Sequence, residues 1–195
     1  GQIIADGLKL LTKEDIIPKS ADKILMIMAP FIIFTGALLT FIAIPLSENL
    51  VVSDFNIGIF YIVAMSSVGV VGIILAGWSS NNKWSLYGSM RAAAQIVSYE
   101  IPIGLSLLLV VLVVGSLHLG DIVAWQAEHR WFILHSPFSF LAFFIYYIST
   151  VAETNRTPFD IPEAESELVA GWMTEYSGFR WSLFFLSEYA NMLIV

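Results

Sequence analysis

Apolar and polar residues follow one another along this chain in long blocks. Five apolar runs, most of them about 20 residues long, are separated by shorter polar stretches. Because a helix of about 20 apolar residues crosses the hydrocarbon layer of a bilayer, the pattern predicts an all-α, polytopic membrane bundle with four complete spans and the start of a fifth. We place these spans, in a single membrane domain over residues 1–195, at 24–46, 57–76, 91–117, 131–152 and 181–195.

The first residues have a different pattern. Ile4, Leu8 and Leu11 fall on one face of a helix over residues 2–14, and most of the polar residues fall elsewhere. A helix with one apolar face can lie in the membrane interface, which is what we predict for this segment. A surface helix packed against the protein itself would show the same pattern.

Composition restricts the class of protein further. Of the 195 residues, 57% are hydrophobic and only 13% are charged, as is typical of a membrane protein. The chain has no cysteine, so it has no disulfide and no thiolate ligand for an iron–sulfur cluster. No basic patch accompanies the net charge of −7, which argues against nucleic acid as a partner. Since the chain begins at Gly1 without a methionine and stops within an apolar run, we expect it to be a piece of a longer subunit.

The cations predict an orientation. If the spans alternate in direction, eight of the nine lysines and arginines fall on one side of the membrane, and only Arg130 falls on the other. Lysine and arginine are enriched in cytoplasmic loops. The N-terminus and the loop after residue 152 are therefore predicted to face the cytoplasm, or the matrix if the protein is mitochondrial.

The polar stretch at residues 153–180 carries more charge than a simple connection between two spans requires. Within residues 153–176 lie six of the chain's sixteen acids but only one cation, Arg156. Two interpretations remain open. The stretch is either a solvated acidic loop or an acidic surface that lines an aqueous cavity at the edge of the membrane.

A short helix is predicted inside this acidic loop. Asp160 as the cap and Glu163 as the acid of a capping box indicate a helix from about Ile161. On that helix Glu163 and Glu167 would share a face, whereas Glu165 would point the other way. Three carboxylates within five residues repel one another, which raises their affinity for protons.

Acids also occur where charge is costly. Glu100 lies about 13 Å along a helix from Arg91, and Glu188 lies about 12 Å from Arg180, at 1.5 Å per residue. Glu153 ends the fourth predicted span on the same side. A charged side chain at mid-membrane costs about 2.5–3.5 kcal/mol, so each acid needs a cavity, a partner or a bound proton. We predict a proton relay; the alternative is that the acids are hydrogen-bonded links between helices.

Other polar residues carry weaker signals. Residues 77–90 are predicted to form a polar loop with interfacial aromatic side chains. His118, His129 and His135 lack metal-ligand spacing, and we interpret them as surface or interface residues on the outer side. No metal site is predicted.

Four segments identify a family resemblance. They are GSMRAAAQIVSYE at 88–100, ETNRTPFDIPEAESELVAGWMTEYSG at 153–178, ADGLKLLTKE at 5–14 and SEYANM at 187–192. Together they resemble the family of membrane subunit 1, also called the H subunit, of respiratory complex I, the proton-pumping NADH:quinone oxidoreductase. The long acidic segment is the most specific of the four, and the resemblance covers nearly the whole chain.

The resemblance implies a function. Members of that family have eight membrane helices, of which this chain would hold the second to the fifth and the start of the sixth. The subunit would join the two arms of the enzyme in a bacterial inner or mitochondrial inner membrane and form much of a quinone tunnel. Ubiquinone or menaquinone would be the substrate. Electrons would come from iron–sulfur and quinone-site subunits of the peripheral arm, and small membrane-arm subunits would be further partners.

The resemblance also implies site residues. Those of the proton path are Glu100, Glu153, Glu188 and Glu175. Those of the quinone cavity and the coupling loop are Arg91, Gln95, Arg156, Phe159, Asp160, Glu163, Glu165, Glu167 and Trp172. Phe159 and Trp172, the two aromatic residues of this second set, would either line the wall of the tunnel or pack at an ordinary interface.

Two rival functions remain. The related membrane subunit of energy-converting hydrogenases resembles this family but uses no quinone. A stand-alone ion transporter or a structural membrane module would also be rich in apolar spans. The acidic segment and the RAAAQ run at 91–95 favour the quinone enzyme.

Overall fold

Eight α-helices, joined by turns and three 3-10 segments, make up the secondary structure of the residues that the computed structural model describes, 1–45, 52–163 and 165–194. The prediction of an all-α fold is confirmed. The helices are α1 Gln2–Thr12, α2 Lys23–Phe41, α3 Gly58–Ser79, α4 Lys83–Val114, α5 Leu119–Glu128, α6 Pro137–Glu153, α7 Glu165–Leu168 and α8 Gly178–Ile194. The 3-10 segments are Phe132–Leu134, Ile161–Glu163 and Gly171–Met173.

Three of these helices, α2, α3 and α4, are long and apolar enough to cross a membrane. The apolar helix α6 is shorter, with 17 residues, and α8 also has 17. The prediction of long apolar helices is therefore confirmed for the first three predicted spans. The number of complete spans stays a prediction.

The predicted polar loop at residues 77–90 is wrong. Helix α3 continues to Ser79 and α4 begins at Lys83, so only residues 80–82 connect them. The side chain of Asn82 caps α4 by accepting the Trp84 N–H at 3.0 Å. The serine hydroxyls donate to carbonyl groups, as Ser79 does to Ala76 O at 3.1 Å, so polar residues are accommodated without ending a helix.

Helices α2, α3, α4 and α8 enclose the core together with the segment from Trp172 to Tyr176. A Cβ atom at Gly72 would lie 2.3 Å from Ile33 Cγ1, so the small residues of α3 allow α2 to approach closely. The rings of Trp172 and Phe184 pack nearly perpendicular to each other, with 4.6 Å between ring centroids. This core fixes the end of the acidic loop against α4.

The connection between α1 and α2 is attached to α8. Arg180 is only 4% exposed, and its Nε donates to the two carboxylate oxygens of Asp15 at 2.9 and 2.7 Å. Gly178 has φ +58°, and a Cβ atom there would lie 2.9 Å from Lys13 O. The amphipathic segment is helical over most of its predicted length and packs beside α8.

Helical structure in the acidic loop begins at Ile161, where a short helix was predicted. It begins as a 3-10 turn over Ile161–Glu163, and α-helix covers Glu165–Leu168. The chain must then turn back so that Trp172 reaches the core. Val169 and Gly171 make this turn with φ values of 67° and 54°, which leaves room only for short helical turns.

Candidate functional site

The C-terminal end of α6 turns the chain sharply toward α8. The N–H of Arg156 donates to Val151 O at 3.2 Å, and the N–H of Asn155 donates to Ala152 O at 3.2 Å. Asn155 has φ 51°. These bonds and the left-handed residue form a Schellman motif, in which asparagine is the usual alternative to glycine. Sequence reasoning missed Asn155, although an asparagine just after an apolar helix was the available signal.

Gln95 of α4 holds this turn from the other side. Its Nε2 donates to Ala152 O at 2.8 Å, to Asn155 Oδ1 at 3.0 Å and to Phe159 O at 2.7 Å. Two of these acceptors are backbone carbonyls on either side of Arg156. The side chain therefore links α4 to the end of α6 and to the start of the acidic loop.

Arg156 pairs with an acid of α8. Its Nη2 lies 3.0 Å from Glu188 Oε1, and the Glu188 side chain is only 19% exposed. The guanidinium also lies over the ring of Tyr189, 5.3 Å from its centroid, and its Nε contacts Met192 Sδ at 3.1 Å. A half-buried carboxylate within α8 thus obtains from the loop the partner that its own helix does not provide.

A small cavity of about 50 Å³ lies next to this ion pair. Glu153 and Glu188 both line it, Glu153 from the C-terminal end of α6 and Glu188 from within α8. Its other lining residues are Ile33, Ile73, Ile96, Thr154, Asn155, Trp172, Phe184, Ser187 and Asn191. The cavity is large enough for water, and its polar groups can bind water. The Trp172 Nε1 is buried and has no hydrogen-bond partner among the described residues.

Glu100 lies on α4, which packs against α6. It is half-buried, and its Oε1 is fully buried with no hydrogen-bond partner within residues 1–45, 52–163 and 165–194. It does not line the cavity, but it is within electrostatic reach of Glu153 on α6. The three acids predicted to be buried, Glu100, Glu153 and Glu188, therefore lie on three different helices. Glu153 and Glu188 line one cavity, whereas Glu100 does not.

A second part of the predicted site lies at the surface. Arg91 Nη1 pairs with Glu167 Oε2 at 2.8 Å. Both residues line a groove of about 570 Å³ together with Trp84, Tyr87 and Leu168, and with Met90 and Ala94. The groove connects the N-terminal half of α4 with α7.

The remaining predicted residues are dispersed. Asp160 is exposed, and the side chains of Glu163 and Glu165 lie outside the described part of the structure. Glu175 accepts a hydrogen bond from Asn82 Nδ2 at 2.6 Å and so holds the turn between α3 and α4, away from the cavity lining. Phe159 packs edge-on against Tyr99, with 5.6 Å between centroids. Trp172 belongs to both the core and the cavity wall.

The three histidines lie apart from this site, at two places. His118 bonds through Nε2 to Asp54, and a hydrogen bond from the Asp121 N–H reaches its Nδ1 at 3.2 Å. The bond to Asp54 raises the pKa of His118, and the hydrogen bond from Ser116 lowers the pKa of Asp121. His129 and His135 contact the ring of Trp125. Among the described residues there is no cluster of three histidines or acids that could hold a metal.

Comparison with known proteins now gives the family. The family model described as NADH dehydrogenase matches residues 1–195. The chain belongs to the NADH dehydrogenase family. Proteins named as the H subunit of NADH-quinone oxidoreductase are similar to it over its full length. They are 52% identical in Anaeromyxobacter dehalogenans, 51% in Chlorobaculum parvum and 53% in Bacteroides fragilis.

The chain spans about half the length of these relatives, 48%, 55% and 54% respectively. The family resemblance seen in the sequence is confirmed.

Proposed function

We propose that this chain is part of the H subunit of a proton-pumping NADH-quinone oxidoreductase, and that it couples quinone reduction to proton movement. The observation that carries the proposal is the cavity shared by Glu153 and Glu188, with Arg156 paired to one of these two acids. Family membership supports the oxidoreductase assignment. The relatives' names support quinone as the substrate.

Reduction of a quinone to a quinol takes up two electrons and two protons. The chain has no cysteine, so partner subunits with iron–sulfur clusters supply the electrons. The small cavity is too small for a quinone ring. The surface groove at Arg91 and Glu167 has the volume of a typical ligand site, and we place the quinone head group on that side of the acidic loop.

Coupling is electrostatic in this proposal. A change of charge at the quinone alters the field on the acidic loop, and the loop carries Arg156. When Arg156 holds Glu188, the carboxylate is stabilised in its charged form; when the guanidinium withdraws, the carboxyl takes up a proton. Glu153 and Glu100 then continue the path toward further membrane subunits. The N-terminus and the loop face the cytoplasm or the matrix.

Replacement of the cavity acids tests the proposal. In the assembled enzyme, Glu153→Gln and Glu188→Gln remove one ionisable proton each with little change in volume. We expect about a tenfold loss in NADH-driven proton translocation, which corresponds to about 1.4 kcal/mol. The measurement is the pH gradient formed by membrane vesicles during NADH oxidation, together with inhibitor-sensitive quinone reduction.

Glu128→Gln is the matched control because Glu128 is an exposed acid at the end of α5. Full proton translocation in both cavity variants contradicts the proton path. Membranes that oxidise NADH through this complex without reducing quinone contradict the substrate and favour a hydrogenase-type relative. Activity of the purified chain as a lone transporter contradicts the assignment to a multi-subunit enzyme.

A further inference from the structure

The carboxamide of Gln95 has more acceptors than hydrogens. Its Nε2 carries two hydrogens but lies within 3.0 Å of three acceptor oxygens. The reverse orientation of the amide would set its oxygen against two backbone carbonyls, so the hydrogen-bond network determines the orientation. The weakest of the three contacts is the longest one, to the side chain of Asn155.

Two of these contacts are to backbone groups on either side of Arg156 in the chain. Ala152 O lies at the end of α6, and Phe159 O lies three residues beyond Arg156, so Gln95 fixes the backbone on both sides of the arginine. Within the turn the Phe159 N–H also donates to Arg156 O at 2.6 Å. The Arg156 side chain itself is 42% exposed and cannot be positioned by burial alone.

We propose that Gln95 is a positioning residue that holds Arg156 against Glu188 and thereby controls when Glu188 is charged. The effect of this positioning on enzyme turnover rests on the proposed function. Gln95 has no ionisable proton, and it is not among the residues that line the groove in which we place the quinone head group. It acts by keeping the turn after α6 at the distance from α8 at which the arginine reaches the acid.

The surroundings of Glu188 leave Arg156 as the deciding charge. Glu188 of α8 faces Arg156, which lies in the turn after α6. Across the cavity it faces Glu153 of α6. Helices α2, α3 and α4 border the cavity there with Ile33, Ile73 and Ile96. Arg156 pairs with Glu188 from outside the cavity, and within the described residues no cation lines the cavity itself, so a change in the position of this guanidinium has a large effect on the carboxyl.

The test compares pH profiles of inhibitor-sensitive quinone reduction in the assembled enzyme. Arg156→Leu removes the cation, and we expect it to move the acidic limb of the profile by about one pH unit to higher pH, since a carboxyl without its cation keeps its proton longer. Gln95→Leu replaces the carboxamide by an uncharged side chain that makes no hydrogen bonds. We expect a shift in the same direction, and no further shift when it is combined with Arg156→Leu.

Two further variants separate positioning from simple structural support. Ser98→Ala is the control because Ser98 lies one turn along α4 and, within the described residues, its hydroxyl donates only to Ala94 O of its own helix. It should leave the profile unchanged. Asn155→Gly keeps the left-handed turn while it removes one acceptor, and a smaller shift in the same direction is expected. If Gln95→Leu does not assemble, Gln95→Met, which is unbranched like glutamine and also has no donor, replaces it in the comparison.

The outcomes distinguish this inference from the proposed function. Shifts with Arg156→Leu but none with Gln95→Leu or Asn155→Gly overturn the positioning role alone. A Gln95→Leu enzyme that assembles poorly, but whose assembled fraction has the normal profile, also overturns it. An unchanged profile in both Arg156→Leu and Glu188→Gln overturns the proposed function itself.

Discussion

Single residues in this chain obtain their roles from the partners that the fold brings to them. Glu188 of α8 and Glu100 of α4 are both half-buried acids. The first meets a guanidinium from a loop, whereas the Oε1 of the second has no hydrogen-bond partner within the described residues. The two acids therefore have different electrostatic surroundings. Glu188 pairs with a cation, whereas Glu100 lies within electrostatic reach of the like-charged Glu153.

Arg180 and Asp15 give a prediction at the residue scale. Asp15→Asn leaves a guanidinium that is 4% exposed without its counter-ion. We expect a loss of about 1–3 kcal/mol in stability, the cost of an unsatisfied buried group. Hydrogen exchange of residues 13–17 in the assembled enzyme should be faster, since this pair attaches the connection between α1 and α2 to α8.

The neighbouring acid Glu14 is the control. It joins the same contact only through its backbone carbonyl, which accepts a hydrogen bond from Ser177 Oγ at 3.3 Å. Glu14→Gln should leave the exchange rate unchanged. Equal exchange in wild type and Asp15→Asn would show that α1 is held to α8 without the ion pair.

At the scale of elements, the acidic loop is held against α4 by close backbone contact. A Cβ atom at Gly88 would lie 2.6 Å from the Cα of Gly171. The neighbouring Ser85 Oγ donates to Trp172 O at 3.1 Å, which fixes the same segment. Helix α4 therefore needs glycine at position 88 because a side chain would not fit there. The backbone conformation at this position does not itself require glycine.

Gly88→Ala should separate α4 from the turn before Trp172. We expect it to lower stability by about 1–3 kcal/mol, the usual cost of an overpacked contact, and to reduce the amount of assembled enzyme. The thermal midpoint of the purified enzyme measures this. Gly104→Ala is the matched control on the same helix, because a Cβ atom there meets nothing within 4 Å; a similar loss in both variants would contradict the packing argument.

At the scale of the whole molecule, two connections on the side opposite the acidic loop are joined by His118. Its Nε2–H bonds to Asp54 before α3, while its Nδ1 caps α5. In the protonated ring, Nδ1–H instead faces Asp121 Oδ1 at 3.2 Å. Protonation therefore strengthens the link between the two connections.

The sign of the pH effect follows from the raised pKa of His118. A group whose pKa is raised by folding contributes stability that is fully present below its unfolded pKa of about 6.5 and is lost as the pH rises through the folded pKa. Hydrogen exchange of residues 52–57 should therefore be slower near pH 6 than near pH 9, after correction for intrinsic rates. The effect should be less than about fivefold, since exposed pairs contribute little.

Asp54→Asn should remove most of this pH dependence, and Glu128→Gln, at the other end of α5, should not. Retention of the full pH dependence in Asp54→Asn would assign it to another group. The lowered pKa of Asp121 works in the opposite direction, because its contribution is lost only as the pH falls through its own folded pKa.

The sequence by itself determined the all-α class, the long apolar helices and the family. Hydrophobic blocks of bilayer length have few alternative structures, since backbone groups in lipid must be satisfied within a helix. The positions of buried acids were also visible, because charge within an apolar run is conspicuous. The polar segment at 77–90 gave a wrong prediction, since serines and asparagines can satisfy their hydrogen bonds within and at the start of helices.

Only the tertiary structure decided which charges meet. The pairing of Arg156 with Glu188 joins residues 32 positions apart, and Gln95 reaches residues 57 to 64 positions away. Such contacts depend on how helices pack and where a turn ends, and no local pattern encodes them. Asn155 illustrates the difference: its type permits a left-handed turn, but only the packed helices show that this turn delivers an arginine to a buried acid.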